Sequence, residues 1–270
     1  MNRKLFARAA TALVLAAIVA CGVSGQEVQT PSAVPGVGSP WAVTGGTGLF
    51  FPGVKEVNEK IEALRLDMRE LRSEIETLVG DDMSLSELML PVAAGSAAGV
   101  RILRNLSGSF SAGFELESLR LHHDGWFLIT SPDKRVAVDV ELSMTAGGGS
   151  AVLSVDSAES GSLDPWAFRI TAGGGYYNAT VHLEKQIQLH GIDEFGLREE
   201  ADSVDGASAW GGRLTASVSR RISEAMTVGF SAAWRSLAFR DVRANVLDPS
   251  ETVDLDLSGL TLSVSLSLAF

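Results

Sequence analysis

The side chains in this chain that most readily do chemistry are four histidines. They are His122, His123, His182 and His190. With Asp124 and Ser131, the first two supply the residue types of a Ser/His/Asp acyl-transfer site, but such a site is defined by geometry and not by order along the chain. The spacing gives no specific support to catalysis, so we expect no enzyme and no cofactor.

Metal and phosphate sites are equally unspecific in the sequence. His122 and His182, with acidic residues nearby, would form at most a surface metal site, and polar loop residues that face water are the commoner case. The glycine runs at 147–149 and 173–175 do not precede a helix with a lysine, which phosphate-binding loops require. We therefore expect neither a metal nor a nucleotide site.

Residues 1–25 have the composition of a secretory signal peptide, with three cations before a short apolar run at residues 12–20. Two alternatives fit the processing of this segment. Cleavage after Gly25 removes Cys21, the only cysteine, whereas a lipobox interpretation makes Cys21 an acylated N-terminus. Both alternatives predict an exported protein.

The strong acidity of the chain narrows the range of partners. The formal net charge is −11, and nucleic acid requires a basic surface. We therefore exclude nucleic-acid binding and attribute most of the acidity to solubility.

Two segments precede the region that is rich in predicted strands. Residues 26–53 contain a Pro- and Gly-rich linker and then a possible first strand at Trp41–Phe51. Residues 54–80 instead place an apolar residue every three or four positions over three heptads, which predicts an amphipathic helix. The apolar positions are Val57, Ile61, Leu64, Met68, Leu71, Ile75 and Leu78. This seam fits a coiled coil that makes homo-oligomers, or one helix that packs against the rest of the chain.

From residue 92 to residue 270 the chain alternates apolar and polar residues, as strands do. Every even position from Leu260 to Leu268 is apolar, the odd positions as far as Ser267 are Thr or Ser, and the last residue is Phe270. A period-two segment of about ten residues has the length of a tilted strand that crosses a bilayer.

This pattern resembles that of small bacterial outer-membrane β-barrels, through Phe270, the alternation over 92–270 and Gly-aromatic strands such as 172–177. The resemblance implies an all-β fold, an antiparallel up-and-down transmembrane β-barrel of about 8 to 10 strands with an N-terminal amphipathic helix. It also implies location in the bacterial outer membrane, contact with outer-membrane lipid, and recognition of Phe270 by the barrel-assembly machinery. The implied role is structural, adhesive or that of a narrow channel.

The two faces of the predicted strands differ in chemistry. One face is apolar and nearly free of charge, and aromatic residues cluster at strand ends, as in interfacial girdles. The other face is acidic in the early strands and basic in the late ones. Its charged residues are Glu115, Glu117, Asp139, Glu141, Arg169, Arg213, Arg221 and Arg235. Because unpaired buried charge is very costly, we predict that these residues pair across a closed interior.

The pattern leaves the strand count and one other fold open. Nine candidate strands follow residue 95, if Asp124-Gly125 and 147–149 are turns; omitting 126–131 gives eight, and adding Trp41–Phe51 gives ten. The other fold is an exported lipocalin-like protein, soluble or lipid-anchored through Cys21, whose apolar strand faces line a pocket for an apolar ligand.

Overall fold

The computed structural model describes residues 41–79, 83–107, 109–133, 135–157, 166–190, 199–223, 225–243, 248 and 251–269. Within these residues the chain forms one helix, α1 (Lys55–Val79), and eleven strands. The strands are β1 (Trp41–Pro52), β2 (Ser84–Leu88), β3 (Gly95–Ser107), β4 (Phe110–Thr130), β5 (Arg135–Asp156), β6 (Trp166–His190), β7 (Glu199–Arg221), β8 (Met226–Ser236), β9 (Ala238–Val242), β10 (Val253–Asp256) and β11 (Gly259–Ala269). The predicted signal peptide, Cys21 and Phe270 lie outside the described residues.

Eight of the described strands form an antiparallel, up-and-down ring. Around it the order is β4, β3, β1, β11, β8, β7, β6, β5 and back to β4. The predicted first strand at Trp41–Phe51 is therefore a member of the ring, where it pairs with both β11 and β3. The other three strands lie outside the ring, since β2 pairs with the far part of β4, and β9 pairs with β10.

Four neighbouring strands of the ring are about twice as long as the other four. Strands β4 to β7 contain 21 to 25 residues, against 11 to 13 in β1, β3, β8 and β11. The extra length continues as a sheet beyond one end of the ring, which we call the cap end. The opposite end, where β3 turns into β4, is the turn end.

The apolar core of the described chain lies at the cap end. The heptad seam of α1 packs there, with Val57, Ile61 and Leu64 each at most 2% exposed, against inward residues of the long strands. These seam residues meet the chain's own sheet, as in the alternative of one helix that packs against the rest of the chain. The helix also lies between β1 and β2, so the prediction that it is N-terminal to the strands is not supported; it follows the possible first strand at Trp41–Phe51.

Polar contacts fix α1 to three other segments. Asn58 accepts a hydrogen bond from the backbone nitrogen of Val92 at 2.8 Å and donates one to its carbonyl at 3.1 Å. Glu56 accepts a hydrogen bond from the backbone nitrogen of Asp254 in β10 at 2.9 Å. Arg65 forms a 2.7 Å ion pair with Glu87 of β2. Within the described residues, no helix is both long and apolar enough to span a bilayer.

Two predicted turns are continuous strand in the structure. Asp124-Gly125 lies inside β4, and residues 147–149 lie inside β5. Their glycines admit close neighbours: a Cβ on Gly125 would lie 2.1 Å from Met89 Sδ, and one on Gly148 would lie 2.4 Å from Tyr177 Cδ1. These glycines therefore serve side-chain packing and not chain reversal.

About halfway along the long strands, the apolar side chains change from the outward face to the inward face. In β4, inward positions carry Glu115 and Glu117 towards the turn end, and from Leu119 onward they carry apolar residues and His123. Outward positions do the reverse, with Leu116 exposed in the turn half and Arg120 exposed in the cap half. The turn half is thus apolar outside and polar inside, whereas the cap half is polar outside and apolar inside.

Candidate functional site

A layer of charged side chains fills the interior of the ring on the turn side of the apolar core. We call it the charge layer; its members are Arg101 of β3, Glu115 and Glu117 of β4, Arg213 of β7 and Arg235 of β8. All five side chains point inward and are at most 10% exposed. Strand alternation puts them there, because each occupies an inward position of its strand in the turn half.

Glu115 joins two arginines that come from different sides of the ring. Its Oε2 accepts hydrogen bonds from Arg101 Nη2 at 3.0 Å and from Arg101 Nε at 3.3 Å. Its Oε1 accepts a hydrogen bond from Arg213 Nη1 at 2.6 Å. Arg101 is also the cross-strand partner of Glu115, so part of this contact follows directly from the register of β3 and β4.

Glu117 joins Arg213 to Arg235. Its Oε1 lies 3.0 Å from Arg213 Nη1 and also accepts a hydrogen bond from Arg235 Nη2, while Tyr177 donates its hydroxyl proton to Oε2 at 3.4 Å. Arg213 and Arg235 are direct neighbours across β7 and β8. Two like charges in that position repel each other, so the carboxylate between them stabilises the pairing.

Hydroxyl groups and one ring extend the charge layer across the cross-section. Arg101 Nη1 donates to Thr171 Oγ1 at 3.4 Å, and the guanidinium of Arg235 lies 5.1 Å from the centre of the Phe50 ring. These contacts extend the charge layer from β3 and β4 across the interior to β6 and β1.

The structure does not bring all of the predicted interior charges together. Asp139 and Glu141 point outward from β5 and are exposed, because the outer face of the cap half is its polar face. Arg221 is exposed at the turn end of β7. Arg169 pairs with Asp156 at 2.6 Å, separately from the charge layer.

Sequence reasoning missed Arg101, Tyr177 and Thr171 as members of this region. Arg101 is a cation in an early strand, so it did not fit the division into acidic early strands and basic late ones. The signal that identifies it is its register opposite Glu115, which the sequence alone does not specify.

Small hydroxyl residues line the interior between the charge layer and the turn end. Hydrogen bonds join Ser231 to Ser263 at 2.6 Å and Thr44 to Ser267 at 2.9 Å, and all four residues are partly buried. This part of the interior is polar and therefore does not suit an apolar ligand.

The outer surface of the turn half is an apolar belt with aromatic residues at both edges. At the turn edge, Trp166 lies under the guanidinium of Arg220, with 5.6 Å from the cation to the ring centre. At the cap edge, Tyr176 and Trp210 meet edge to face with ring centres 5.5 Å apart. The exposed residues between these edges include Leu49, Ile102, Phe114, Leu116, Leu153, Phe168, Ile170, Leu214, Phe230, Leu262 and Val264. Not every aromatic residue near a predicted strand end belongs to these edges, since Phe127, Tyr177 and Phe239 are buried.

The histidines do not form the Ser/His/Asp arrangement considered from the sequence. Alternation along β4 sends His122 outward and His123 inward, so the two imidazoles lie on opposite faces of the sheet. His123 is 8% exposed, and its Nε2 lies 3.3 Å from Met89 Sδ. Burial lowers the pKa of His123 below its usual value of 6.5.

Among the described residues, two spaces lie in or beside the cap half. A cavity of about 10 Å³ lies among Val57, Leu142 and Leu255, whereas ligand pockets measure about 300 to 1,000 Å³. A larger open cleft of about 510 Å³ lies between α1 and β2, but Arg69, Arg72, Glu76 and Glu87 contribute to its walls. The first of these spaces is too small, and the second too polar, to be the apolar ligand pocket of the lipocalin-like alternative.

Comparisons with known proteins give a weak structural likeness. The chain is similar in structure to Neisserial surface protein A, with a TM-score of 0.39 and 11% sequence identity, over 86% of this chain and 98% of that one. No protein-family model matches the chain. A search of curated proteins also found no match.

Proposed function

We propose that the chain is a small outer-membrane β-barrel with a structural or adhesive role, whose cap half stands in water on one side of the membrane. The observation that carries this proposal is the apolar belt around the turn half, which surrounds an interior filled with paired charge. A water-soluble protein would bury such a belt, and a membrane is the environment in which this inversion is stable.

The height of the belt fits a bilayer. On β6 it extends from Trp166 to Tyr176, which is ten residue steps along the strand. At about 3.3 Å per residue this is about 33 Å along the strand, or about 25 Å of depth at a tilt near 40°. Outer-membrane barrels have an apolar band of about 25 Å.

A structural or adhesive role fits the interior better than a channel does. The charge layer and the apolar core lie in series, so a solute would have to cross both. We therefore expect the purified chain to give no conductance steps in planar lipid bilayers. The parts that remain free to meet partners are the outer faces of the cap half and of α1.

Cell fractionation with protease shaving tests the location and the orientation together. The mature chain should remain in the outer-membrane fraction after a salt wash, dissolve in detergent, and migrate faster on a gel when it is not heated. Protease added to intact cells should cut within the cap half and leave the strands of the belt protected. Release of a folded monomer into a salt-washed soluble fraction would favour the lipocalin-like alternative.

The partners proposed from the sequence fit this location. Outer-membrane lipid would contact the belt, and the assembly machinery would recognise Phe270, which follows β11 directly. Deletion of Phe270 should lower the amount of assembled protein at an unchanged rate of synthesis, measured by heat-modifiable mobility. An unchanged yield would contradict the role of Phe270 in assembly without affecting the location of the belt.

A further inference from the structure

We propose that the outer face of the cap half binds one divalent transition-metal ion, of the Zn²⁺ or Cu²⁺ class, through His122, Asp124 and Glu141. The inference is independent of the membrane location, since it rests on side chains of β4 and β5 that point away from the core. One ligand atom from each of the three residues lies within 4.8 Å of the other two.

The contacts within this group already converge on the imidazole. His122 Nε2 lies 2.9 Å from Asp124 Oδ2, and His122 Nδ1 lies 3.9 Å from Glu141 Oε1. The three side chains are between 45% and 68% exposed, so they can turn through the small distance that metal bonds of about 2.0–2.2 Å require.

The strand register explains why these groups meet. Asp124 is directly opposite Glu141, and Glu141 is directly opposite Glu184 of β6. Three carboxylates in one row across adjacent strands repel one another. A divalent cation replaces this repulsion with attraction.

The row next to the carboxylates supplies imidazole. His122 is opposite Ser143, and Ser143 is opposite His182, so a small residue separates two histidines. His182 stands beside Glu184, with 3.9 Å between its Nε2 and Glu184 Oε2, as His122 stands beside Asp124. Imidazole with carboxylates suits Zn²⁺ and Cu²⁺, whereas Mg²⁺ and Ca²⁺ prefer oxygen ligands alone.

Calorimetric titration of Zn²⁺ into the full chain in detergent, after removal of metals, tests the proposal. We expect one saturable site in the wild type and a loss of affinity of at least about tenfold in His122→Gln and in Glu141→Gln. The matched control is Asp139→Asn, which lies on the same outward face of β5 two positions from Glu141 and should bind like the wild type. Heat-modifiable mobility should be the same in all variants, because these side chains lie outside the core.

Three results would overturn the proposal. They are no saturable uptake of Zn²⁺ by the wild type, equal affinity in His122→Gln, and displacement of Zn²⁺ by Mg²⁺ at comparable concentration. With Cu²⁺ as a second probe, electron paramagnetic resonance should detect a nitrogen ligand in the wild type that is absent in His122→Gln; the same nitrogen signal in both proteins would exclude His122 as the ligand.

Discussion

At the scale of single residues, direction matters more than charge type. Glu117 and Glu141 have the same side chain and both lie on predicted polar strand faces, yet Glu117 is buried between arginines and Glu141 faces water. The sequence pattern could identify both as polar-face residues of strands. The pattern could not distinguish the buried glutamate from the exposed one, because the apolar side chains change from the outward to the inward face partway along each long strand.

Replacing Glu117 with Gln should strongly destabilise the chain. The change leaves Arg213 and Arg235 as neighbouring buried cations without their shared carboxylate, at a cost of about 3–5 kcal/mol. Urea unfolding of the chain in lipid vesicles measures this cost. Asp139→Asn is the control, and a change within about 0.5 kcal/mol is expected because Asp139 faces outward. Equal effects of the two substitutions would show that the interior arrangement is wrong.

His123 should make stability depend on pH. The pKa of His123 in the folded chain lies below its ordinary value of 6.5 because of burial, so the unfolded chain binds more protons near that pH. Stability is therefore complete above about pH 6.5 and falls as the pH drops below it. Unfolding midpoints between pH 7.5 and 5.5 should decline less steeply in His123→Gln than in the wild type. A wild-type slope in His123→Gln would contradict this assignment.

At the scale of elements, local periodicity was sufficient to predict the helix but insufficient to predict what the helix packs against. The three-and-four spacing predicted a helix at 54–80, and α1 spans Lys55–Val79. The same spacing could not tell which surface the seam would meet, since a sheet and a second helix demand similar apolar stripes. Glycines in β4 and β5 were predicted to be turns. Their role in packing cannot be recognised locally, because the side chains that pack against them come from residues distant in the sequence.

Truncation of the α1 seam should loosen the cap half. Leu64→Ala removes a side chain that is 2% exposed, and the expected cost is about 2–5 kcal/mol. Leu66→Ala is the matched control on the same helix, where the side chain is 51% exposed and the expected change is within about 0.5 kcal/mol. The measurement is the rate of protease cleavage in α1 in detergent. If Leu64→Ala instead changed only the crosslinking between copies, the coiled-coil alternative would be the better one.

At the scale of the whole molecule, two opposite arrangements of apolar and polar faces meet in one set of strands. Outer apolar residues of the turn half and inner apolar residues of the cap half occupy opposite faces of the same strands, so alternation alone predicted a single apolar face throughout. The ring of eight strands lies within the predicted range of eight to ten. The range 92–270 predicted for the barrel does not contain the whole ring, because β1 precedes the helix and closes the ring, as in the alternative that counts Trp41–Phe51 as a strand.

Arginine substitutions along one face of β6 should locate the boundary between the apolar belt and the cap half. Ile170→Arg lies near the middle of the belt and should cost about 2–4 kcal/mol in a bilayer. Thr180→Arg lies on the same strand face beyond Tyr176 and should cost about 0–1 kcal/mol. Unfolding from lipid vesicles compares the two variants. Similar costs at both positions would show that the belt is not surrounded by hydrocarbon.

The pairing of β1 with β11 also has a consequence for biogenesis. The hydroxyls of Thr44 and Ser267 are hydrogen-bonded although 223 positions separate them, so the chain must be synthesised past Ser267 before this seam can form. Until β11 arrives, β1 and β8 each present an open hydrogen-bonding edge that can capture another chain. A nascent chain therefore needs protection from pairing with other chains until β11 closes the ring.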